Sequence, residues 1–162
     1  MNEYSIREAL EGELALCAAV IREAFGTVAG EFALTSKNCP TNGAFITDAR
    51  LLEEYRMGKR MFVLCKEDNI IGFAEITRKK DTVYELGRLA VLPAYRHAGG
   101  GSLLLAFAKE QAKKLGAAPL TIGIIEENTR LKRWYETHGF THTGTKRFEH
   151  LPFTVGFLQI DI

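Results

Sequence analysis

Three consecutive glycines stand where a predicted strand gives way to a predicted helix. The turn contains Arg96, His97, Ala98, Gly99, Gly100 and Gly101, and Ser102 follows it. Free backbone N–H groups at a helix start, together with the helix dipole, attract anions. Glycines let that backbone approach phosphate oxygens without a Cβ in the way. Because Arg96 adds a charge-assisted contact and Ser102 a hydroxyl, the turn predicts a pyrophosphate site.

This turn differs from two common phosphate-binding motifs. It is not a P-loop, because no Gly-Lys-Ser/Thr follows, and it is not the dinucleotide fingerprint, because GxGxxG is absent. Glycine clusters alone favour a flexible connection over a phosphate site. The nearby Arg96 and the strand–turn–helix context favour the phosphate site.

The helices that would position this turn are predicted from apolar spacing. Leu14, Cys17, Ala18, Ile21, Ala24 and Phe25 predict a first helix that ends near Gly26 and Gly30. A second helix is expected after the capping residue Thr47, with Gly58 just past its end. Two more helices are predicted over residues 101–115 and 128–138.

The strands complete a mixed α/β arrangement. They are predicted near residues 4–7, 61–66, 70–77, 82–92, 119–125, 140–148 and 153–160. The predicted order of elements is β-α-α-β-β-β-α-β-α-β-β, an antiparallel meander followed by a crossover. We expect the chain to be one domain over residues 1–162.

Composition excludes several classes of function. A formal net charge of +1 predicts neither a nucleic-acid nor a membrane partner, and no stretch is apolar enough to span a bilayer. The three cysteines form no CxxC pair, so we expect neither a metal site nor disulfides. Reduced thiols and the lack of a signal-peptide pattern predict a cytoplasmic protein.

Two segments together resemble the GNAT superfamily of N-acetyltransferases. LAVLPAYRHAGGGSLLL, residues 89–105, is similar to its acetyl-CoA signature, in which Arg96, Gly99 and Gly101 match Arg/Gln-x-x-Gly-x-Gly/Ala. NTRLKRWYETHGF, residues 128–140, is similar to its next motif through Asn128, Tyr135, Gly139 and Phe140. The resemblance covers nearly the whole chain and is weaker before residue 60.

The resemblance implies a mostly antiparallel central sheet with helices on both faces. Acetyl-CoA, the co-substrate, would lie where two parallel strands splay, beside a β-bulge. Its pantetheine would pair with Leu89, Ala90 and Val91, and a backbone N–H near Val91 would stabilise the oxyanion. The phosphates would contact the residues of the turn from Arg96 through His97, Ala98, Gly99, Gly100 and Gly101 to Ser102.

The resemblance also implies catalytic roles. Tyr135 would protonate the leaving thiolate, although its spacing alone favours a core or interface aromatic. Asn128 would hydrogen-bond the cofactor or the neighbouring strand, or would act as a helix N-cap. An acceptor ammonium with a pKa near ~10.4 needs a general base. Glu85 is the first candidate, sharing a face with Gly87, Leu89 and Val91 in an ideal strand. Glu75 is the second, and a water chain the third. Each glutamate is alternatively a solvated strand residue or an ion-pair partner of Arg88 or Arg78.

The expected function is therefore acetyl transfer from acetyl-CoA to a primary amine in a ternary complex. The alternatives are an acyl-CoA sensor without turnover and a generic nucleotide binder. The loop holding Asn38, Cys39 and Thr41 is either part of the acceptor pocket or an ordinary surface loop. Late strands often pair between subunits in this superfamily, so a homodimer is also an expectation.

Overall fold

The framework is a seven-stranded sheet, seen in a computed structural model that describes residues 3–162. The strands are β1 (Tyr4–Glu8), β2 (Arg60–Lys66), β3 (Asn69–Lys80), β4 (Val83–Val91), β5 (Leu120–Ile125), β6 (Thr141–Arg147) and β7 (Thr154–Ile160). They lie in the order β1-β2-β3-β4-β5-β7-β6. All neighbours are antiparallel except β4 and β5, which run parallel.

Helices cover both faces of this sheet. They are α1 (Leu14–Glu31), α2 (Asp48–Arg56), α3 (Gly100–Lys114) and α4 (Thr129–Thr137). Helix α3 makes the crossover from β4 to the parallel strand β5. The order of elements predicted from the sequence is confirmed, as is the mostly antiparallel sheet.

The first helix ends beside Gly30, as predicted, but it runs past Gly26, the other glycine expected to mark its end. Helix α1 continues through Gly26 and stops at Glu31, in the turn that holds Gly30. A glycine inside a helix costs about 1 kcal/mol. Ala29 is buried with Leu34 and Cys39 beyond Gly26, so packing of this last turn outweighs the local preference.

The ends of the other helices agree with the sequence. The Thr47 Oγ1 accepts a hydrogen bond of 3.1 Å from the Arg50 N–H and caps α2. Gly58 and Gly116 follow α2 and α3 with φ of 101° and 84°, a left-handed conformation that glycine adopts without a steric penalty.

Two apolar clusters lie on opposite sides of the sheet. The cluster beneath α3 includes Phe62, Leu64, Leu104, Leu120 and Leu158. The cluster beneath α1 and α2 includes Cys17, Ile21, Leu51, Val63 and Phe73. Burying both faces fixes the strands, and therefore fixes where the end of β4 meets the start of α3.

Candidate active site

Strand β4 carries a bulge in its second half. Phe73 pairs with Ala90 and Glu75 with Gly87, so Ala74 of β3 faces both Arg88 and Leu89. Arg88 has φ of 44°, unusual for a side chain of this size. An extra residue in one strand bends that strand and reverses the side-chain alternation beyond it. This is the bulge that the sequence resemblance predicts.

The bulged half of β4 separates from β5. The parallel pairing consists of Tyr84 with Leu120 and Glu85 with Thr121. Strand β4 continues to Val91 without further pairing to β5 in the described part of the chain. Beyond Glu85, the backbone groups that β4 turns toward β5 have no β5 partner in residues 3–162, and an extended ligand can pair with those that no side chain binds. The expected splay of two parallel strands is confirmed.

The glycine turn lies just beyond this opening. Gly99 has φ of 86° and is the N-cap residue of α3. A Cβ on Gly100 would lie 3.0 Å from a methyl group of Leu64. A Cβ on Gly101 would lie 4.0 Å from Val91 and 3.6 Å from Trp134. Gly101 therefore stands between the end of β4 and helix α4.

The start of α3 has free donors. The cap residue supplies no side-chain hydrogen bond. The N–H groups of Gly100, Gly101 and Ser102 have no acceptor among the described residues. Such N–H groups and the helix dipole form an anion site. The Ser102 hydroxyl lies 3.1 Å from Nε2 of His138.

The Arg96 guanidinium is directed toward α1. It donates hydrogen bonds to the carbonyl of Ala24 at 2.8 Å and to Oγ1 of Thr27 at 3.0 Å. Its Nε donates to the Val91 carbonyl at 3.2 Å. Arg96 thus joins the turn to both α1 and β4. His97 and Ala98 lie exposed on the outer side of the turn.

Tyr135 is buried on α4, with 5% of its surface exposed. Its ring packs edge-on against Trp134 and Phe140, at centroid distances of 5.0 and 5.4 Å. Burial raises the pKa of the Tyr135 phenol above its usual value near 10. Within residues 3–162, its hydroxyl has no hydrogen-bond partner, and no fully buried side-chain oxygen lacks one. The hydroxyl oxygen therefore reaches the surface of the described chain.

Asn128 has the capping role that its spacing allows. Its side-chain oxygen accepts a hydrogen bond of 3.2 Å from the Leu131 N–H at the start of α4. The cap fixes the entry of α4 and thereby the position of Tyr135 along the helix.

The two candidate carboxylates are in different environments. Glu85 lies at the paired end of β4, where its side chain is 38% exposed and 3.8 Å from Nζ of Lys79. The bulge puts it on the opposite face from Leu89 and Val91, which pack with Tyr84 and Leu86. The expectation that Glu85 shares a face with Leu89 and Val91 is therefore wrong, because an ideal strand has no bulge.

Glu75 is almost fully buried and held by two cations. Its residue is 3% exposed. Its carboxylate accepts from Nζ of Lys59 at 3.2 Å and from Nη1 of Arg88 at 3.3 Å. Its Oε1 would lie 3.0 Å from a Cβ on Gly87, so Glu75 lies directly beside the bulged strand.

Other residues near the opening were not identified from the sequence. Trp134 contacts the position of Gly101, and the His138 ring is 4.4 Å from that of Trp134. Their spacing of four residues on one helix was the available signal. Arg88 was expected only as an ion-pair partner of a glutamate, which its contact with Glu75 confirms, whereas its place in the bulge depends on strand pairing. Cys39 is buried and burial raises the pKa of its thiol, which argues against a reactive cysteine.

The sequence and fold are similar to those of known acetyltransferases. The model of the acetyltransferase (GNAT) family matches residues 31–140. The chain belongs to this family. An uncharacterized N-acetyltransferase of Mycobacterium tuberculosis is 30% identical over 106 residues, covering 65% of this chain and 68% of that protein. Family membership makes the protein an acetyl-CoA-dependent acyltransferase, as predicted.

Solved GNAT structures share the fold over almost the whole chain. The PaiA N-acetyltransferase of Thermoplasma acidophilum, in complex with coenzyme A, has a TM-score of 0.81 at 20% identity, covering 98% of this chain and 99% of that one. The putative acetyltransferase YncA of Salmonella typhimurium, with acetyl-CoA, has a TM-score of 0.75 at 20% identity, covering 99% and 94%.

The described residues contain neither a cluster of metal-ligating side chains nor a membrane-spanning helix. Residues 3–162 contain no group of three or more His, Cys, Asp or Glu side chains arranged to hold a metal ion. No helix in that range is long and apolar enough to cross a membrane.

Proposed function

We propose that the protein binds acetyl-CoA between β4 and β5 and transfers its acetyl group to a primary amine. The observation that supports this most strongly is the splayed end of β4 lying directly beside the uncapped start of α3. One opening thus offers unpaired strand backbone for an amide-containing arm and free N–H groups for phosphates.

Each part of the donor has a candidate site. Pantetheine would pair with the backbone of Leu89, Ala90 and Val91. The pyrophosphate would accept from N–H groups of the turn, most directly those of Gly100, Gly101 and Ser102. The side chain of Arg96 does not point away from the protein. It supports this site by hydrogen-bonding to α1, which holds the turn in place. His97 and Ala98 would flank the phosphates.

The reaction would proceed by direct attack in a ternary complex. The neutral amine attacks the carbonyl carbon of the thioester. The carbonyl oxygen becomes an oxyanion, which accepts a hydrogen bond from a backbone N–H near Val91. As the C–S bond breaks, the thiolate takes the proton of the Tyr135 phenol. The attacking nitrogen loses one proton to solvent as the amide forms, and the phenolate regains a proton from solvent. Because burial raises the pKa of Tyr135, the phenol carries this proton at neutral pH.

The acceptor ammonium must lose a proton before it attacks. Glu85 is supported as the base by its solvent access, whereas Glu75 is supported by its position beside the bulge. Glu75 is bonded by Lys59 and Arg88, so it would act through a rearrangement or a water chain. Glu85→Gln and Glu75→Gln, assayed for kcat across pH, distinguish them, since loss of the base lowers kcat by about 10²-fold or more.

We also propose that the protein forms a homodimer through an edge of the sheet. Strand β6 lies at one edge of the sheet, with β7 on its other side, and its residues are largely exposed. An unpaired edge can add a strand from a second copy. Light scattering after gel filtration would give the mass, and a monomer at all concentrations would exclude a homodimer.

The direct test is a panel of small amines, polyamines, peptides and amine antibiotics, with release of free CoA thiol as the readout. We expect turnover with at least one primary amine and saturation with acetyl-CoA. Calorimetric titration with acetyl-CoA and ATP runs in parallel. Tight acetyl-CoA binding without any turnover would favour a sensor, and ATP binding as tight as CoA binding would favour a nucleotide binder.

A further inference from the structure

A buried charge network joins α2 to the bulge of β4. We define it as Glu54 of α2, Lys59 before β2, Glu75 of β3 and Arg88 of β4. Among the charged residues that the structure describes, Glu54 and Glu75 are the two that are buried, at 5% and 3% exposure. Two carboxylates removed from water in this way require cationic partners.

Arg88 and Lys59 connect the two carboxylates. Nη1 of Arg88 donates to Glu54 at 2.7 Å and to Glu75 at 3.3 Å, and its Nη2 donates to Glu54 at 3.3 Å. Nζ of Lys59 donates to the same carboxylates at 2.8 and 3.2 Å. Arg50 adds a bond of 2.7 Å to Glu54 from the exposed side of α2.

The Glu54 carboxyl keeps its charge at neutral pH. Burial alone would raise the pKa of the Glu54 carboxyl, but hydrogen bonds from Arg88, Lys59 and Arg50 hold it at about 2. The two carboxylates are therefore matched by two buried or half-buried cations, Arg88 and Lys59, whose side chains are 17% and 26% exposed.

Arg88 is also the residue whose backbone forms the bulge. Its φ of 44° is a conformation that non-glycine residues seldom adopt without support from the surrounding structure. The fork of its guanidinium fixes the side chain between α2 and β3, and so fixes the peptide on either side of Arg88. The next residues, Leu89 to Val91, are those proposed to pair with the acetyl-CoA arm.

We propose that Arg88 is a positioning residue for the donor strand, held by Glu54 and Glu75 so that the bulge presents the backbone of residues 89–91 to acetyl-CoA. This inference rests on the proposed function for its ligand. It also connects α2 to the donor site, since Glu54 is the contact that α2 makes to Arg88. Arg88 itself need not touch the reacting atoms.

The test compares Arg88→Met with a matched control. Arg88→Met keeps an extended side chain but removes the fork. We expect the Kd and KM for acetyl-CoA to rise about tenfold or more, with a smaller fall in kcat. The control is Arg7→Met, which removes another two-bond pair, Arg7 to Glu13 at 2.6 and 2.8 Å, on the outer strand β1. It should leave both acetyl-CoA constants within twofold of wild type.

A second readout separates positioning from plain stabilisation. Amide hydrogen exchange, measured well below the unfolding transition, should quicken at residues 89–91 in Arg88→Met while β2 and β7 keep their protection. Glu54→Gln, which keeps shape and an acceptor oxygen, is the milder variant if Arg88→Met does not fold. It should show the same faster exchange at residues 89–91 and a rise of about threefold in the Kd for acetyl-CoA.

The outcomes are distinct. Unchanged exchange at residues 89–91 and unchanged Kd, with only a lower unfolding midpoint, would overturn the positioning role. If wild type itself fails to bind acetyl-CoA, the proposed function fails. The exchange comparison still decides whether the network holds the bulge in that case.

Discussion

Tyr135 combines a fixed ring with a hydroxyl that stays protonated at neutral pH and that no other described protein group binds. Its ring is buried among Trp134 and Phe140, which fixes its direction and raises the pKa of its phenol. Its hydroxyl has no partner among residues 3–162, so the proton is not committed to another protein group. A phenol in this state suits the protonation of a leaving thiolate.

Replacing Tyr135 with Phe should therefore affect chemistry and little else. We expect kcat to fall by about 10²-fold or more. The unfolding midpoint and acetyl-CoA Kd should stay near wild type, because the hydroxyl makes no hydrogen bond within the described chain. Steady-state kinetics and calorimetry measure this. Since the pKa is raised, wild-type activity should show no loss from Tyr135 ionisation below about pH 10; full activity of the variant would contradict the role.

The three glycines of the turn differ in what they tolerate. Gly99 has a positive φ, so any side chain there strains the backbone. Gly101 is helical and has room for a Cβ at ordinary contact distances from Trp134 and Val91. Gly101 is therefore the position at which a substitution can change ligand binding without lowering folding stability.

Gly101→Ala should weaken acetyl-CoA binding while stability holds or rises. Alanine in a helix is favoured over glycine by about 0.5–1 kcal/mol, but the added methyl group faces the opening where the donor is proposed to lie. Gly26→Ala in α1 is the control, since nothing lies within 4 Å of its Cβ position. It should gain stability with unchanged binding. Calorimetry and urea unfolding give both quantities, and equal binding by the two variants would contradict the proposed site.

At the scale of elements, charged contacts join the helices to the sheet. Arg88 and Lys59 hold Glu54 of α2. Arg7 of β1 holds Glu13, which lies directly before α1. Both carboxyls have pKa values lowered to about 2 against burial that would raise them, because cationic hydrogen-bond donors favour the ionised form.

Acid should therefore weaken the ion pairs of Glu54 and Glu13 as the pH falls from 4.5 toward about 2. A carboxyl whose pKa is lowered by folding contributes stability above its unfolded pKa, near 4.5, and loses it as pH falls toward about 2. We expect the free energy of unfolding, measured in urea, to fall as pH goes from 4.5 to 2. In Glu54→Gln and Glu13→Gln this decline should be shallower, and an equal slope in all three proteins would refute it.

At the scale of the molecule, one sheet is packed on both faces. Phe62 belongs to the cluster beneath α3 and Phe73 to the cluster beneath α1 and α2, and both are almost completely buried. The strands that carry them, β2 and β3, pair directly. Loosening one face thus disturbs the strands that support the other.

Truncating Phe62 or Phe73 should destabilise both faces of the sheet, so that each variant still unfolds in a single transition. Phe62→Ala and Phe73→Ala should each lower the free energy of unfolding by about 3–5 kcal/mol. Circular dichroism and tryptophan fluorescence should report one shared transition in each variant. Trp134 lies on α4, so a fluorescence transition separated from the loss of helix in Phe73→Ala would show that the two faces unfold independently.

Much of the candidate site could be predicted from local sequence. Apolar spacing located the helices, the capping residues Thr47 and Asn128 marked two helix starts, and the glycines marked the turn. These features can be recognised in the sequence because each depends on residues only a few positions away along the chain. The GNAT resemblance then indicated the mostly antiparallel sheet and the gap between two parallel strands.

The tertiary structure decided where side chains point. The bulge at Arg88 reversed the faces of β4 and removed Glu85 from the side of Leu89 and Val91. Arg96 turned toward α1, and Glu75 became buried against two cations. A bulge arises from pairing with another strand, and a buried ion pair from residues distant in sequence, so no local periodicity encodes either. By itself the sequence determined the elements and the glycine turn; long-range packing determined which charges and backbone groups surround it.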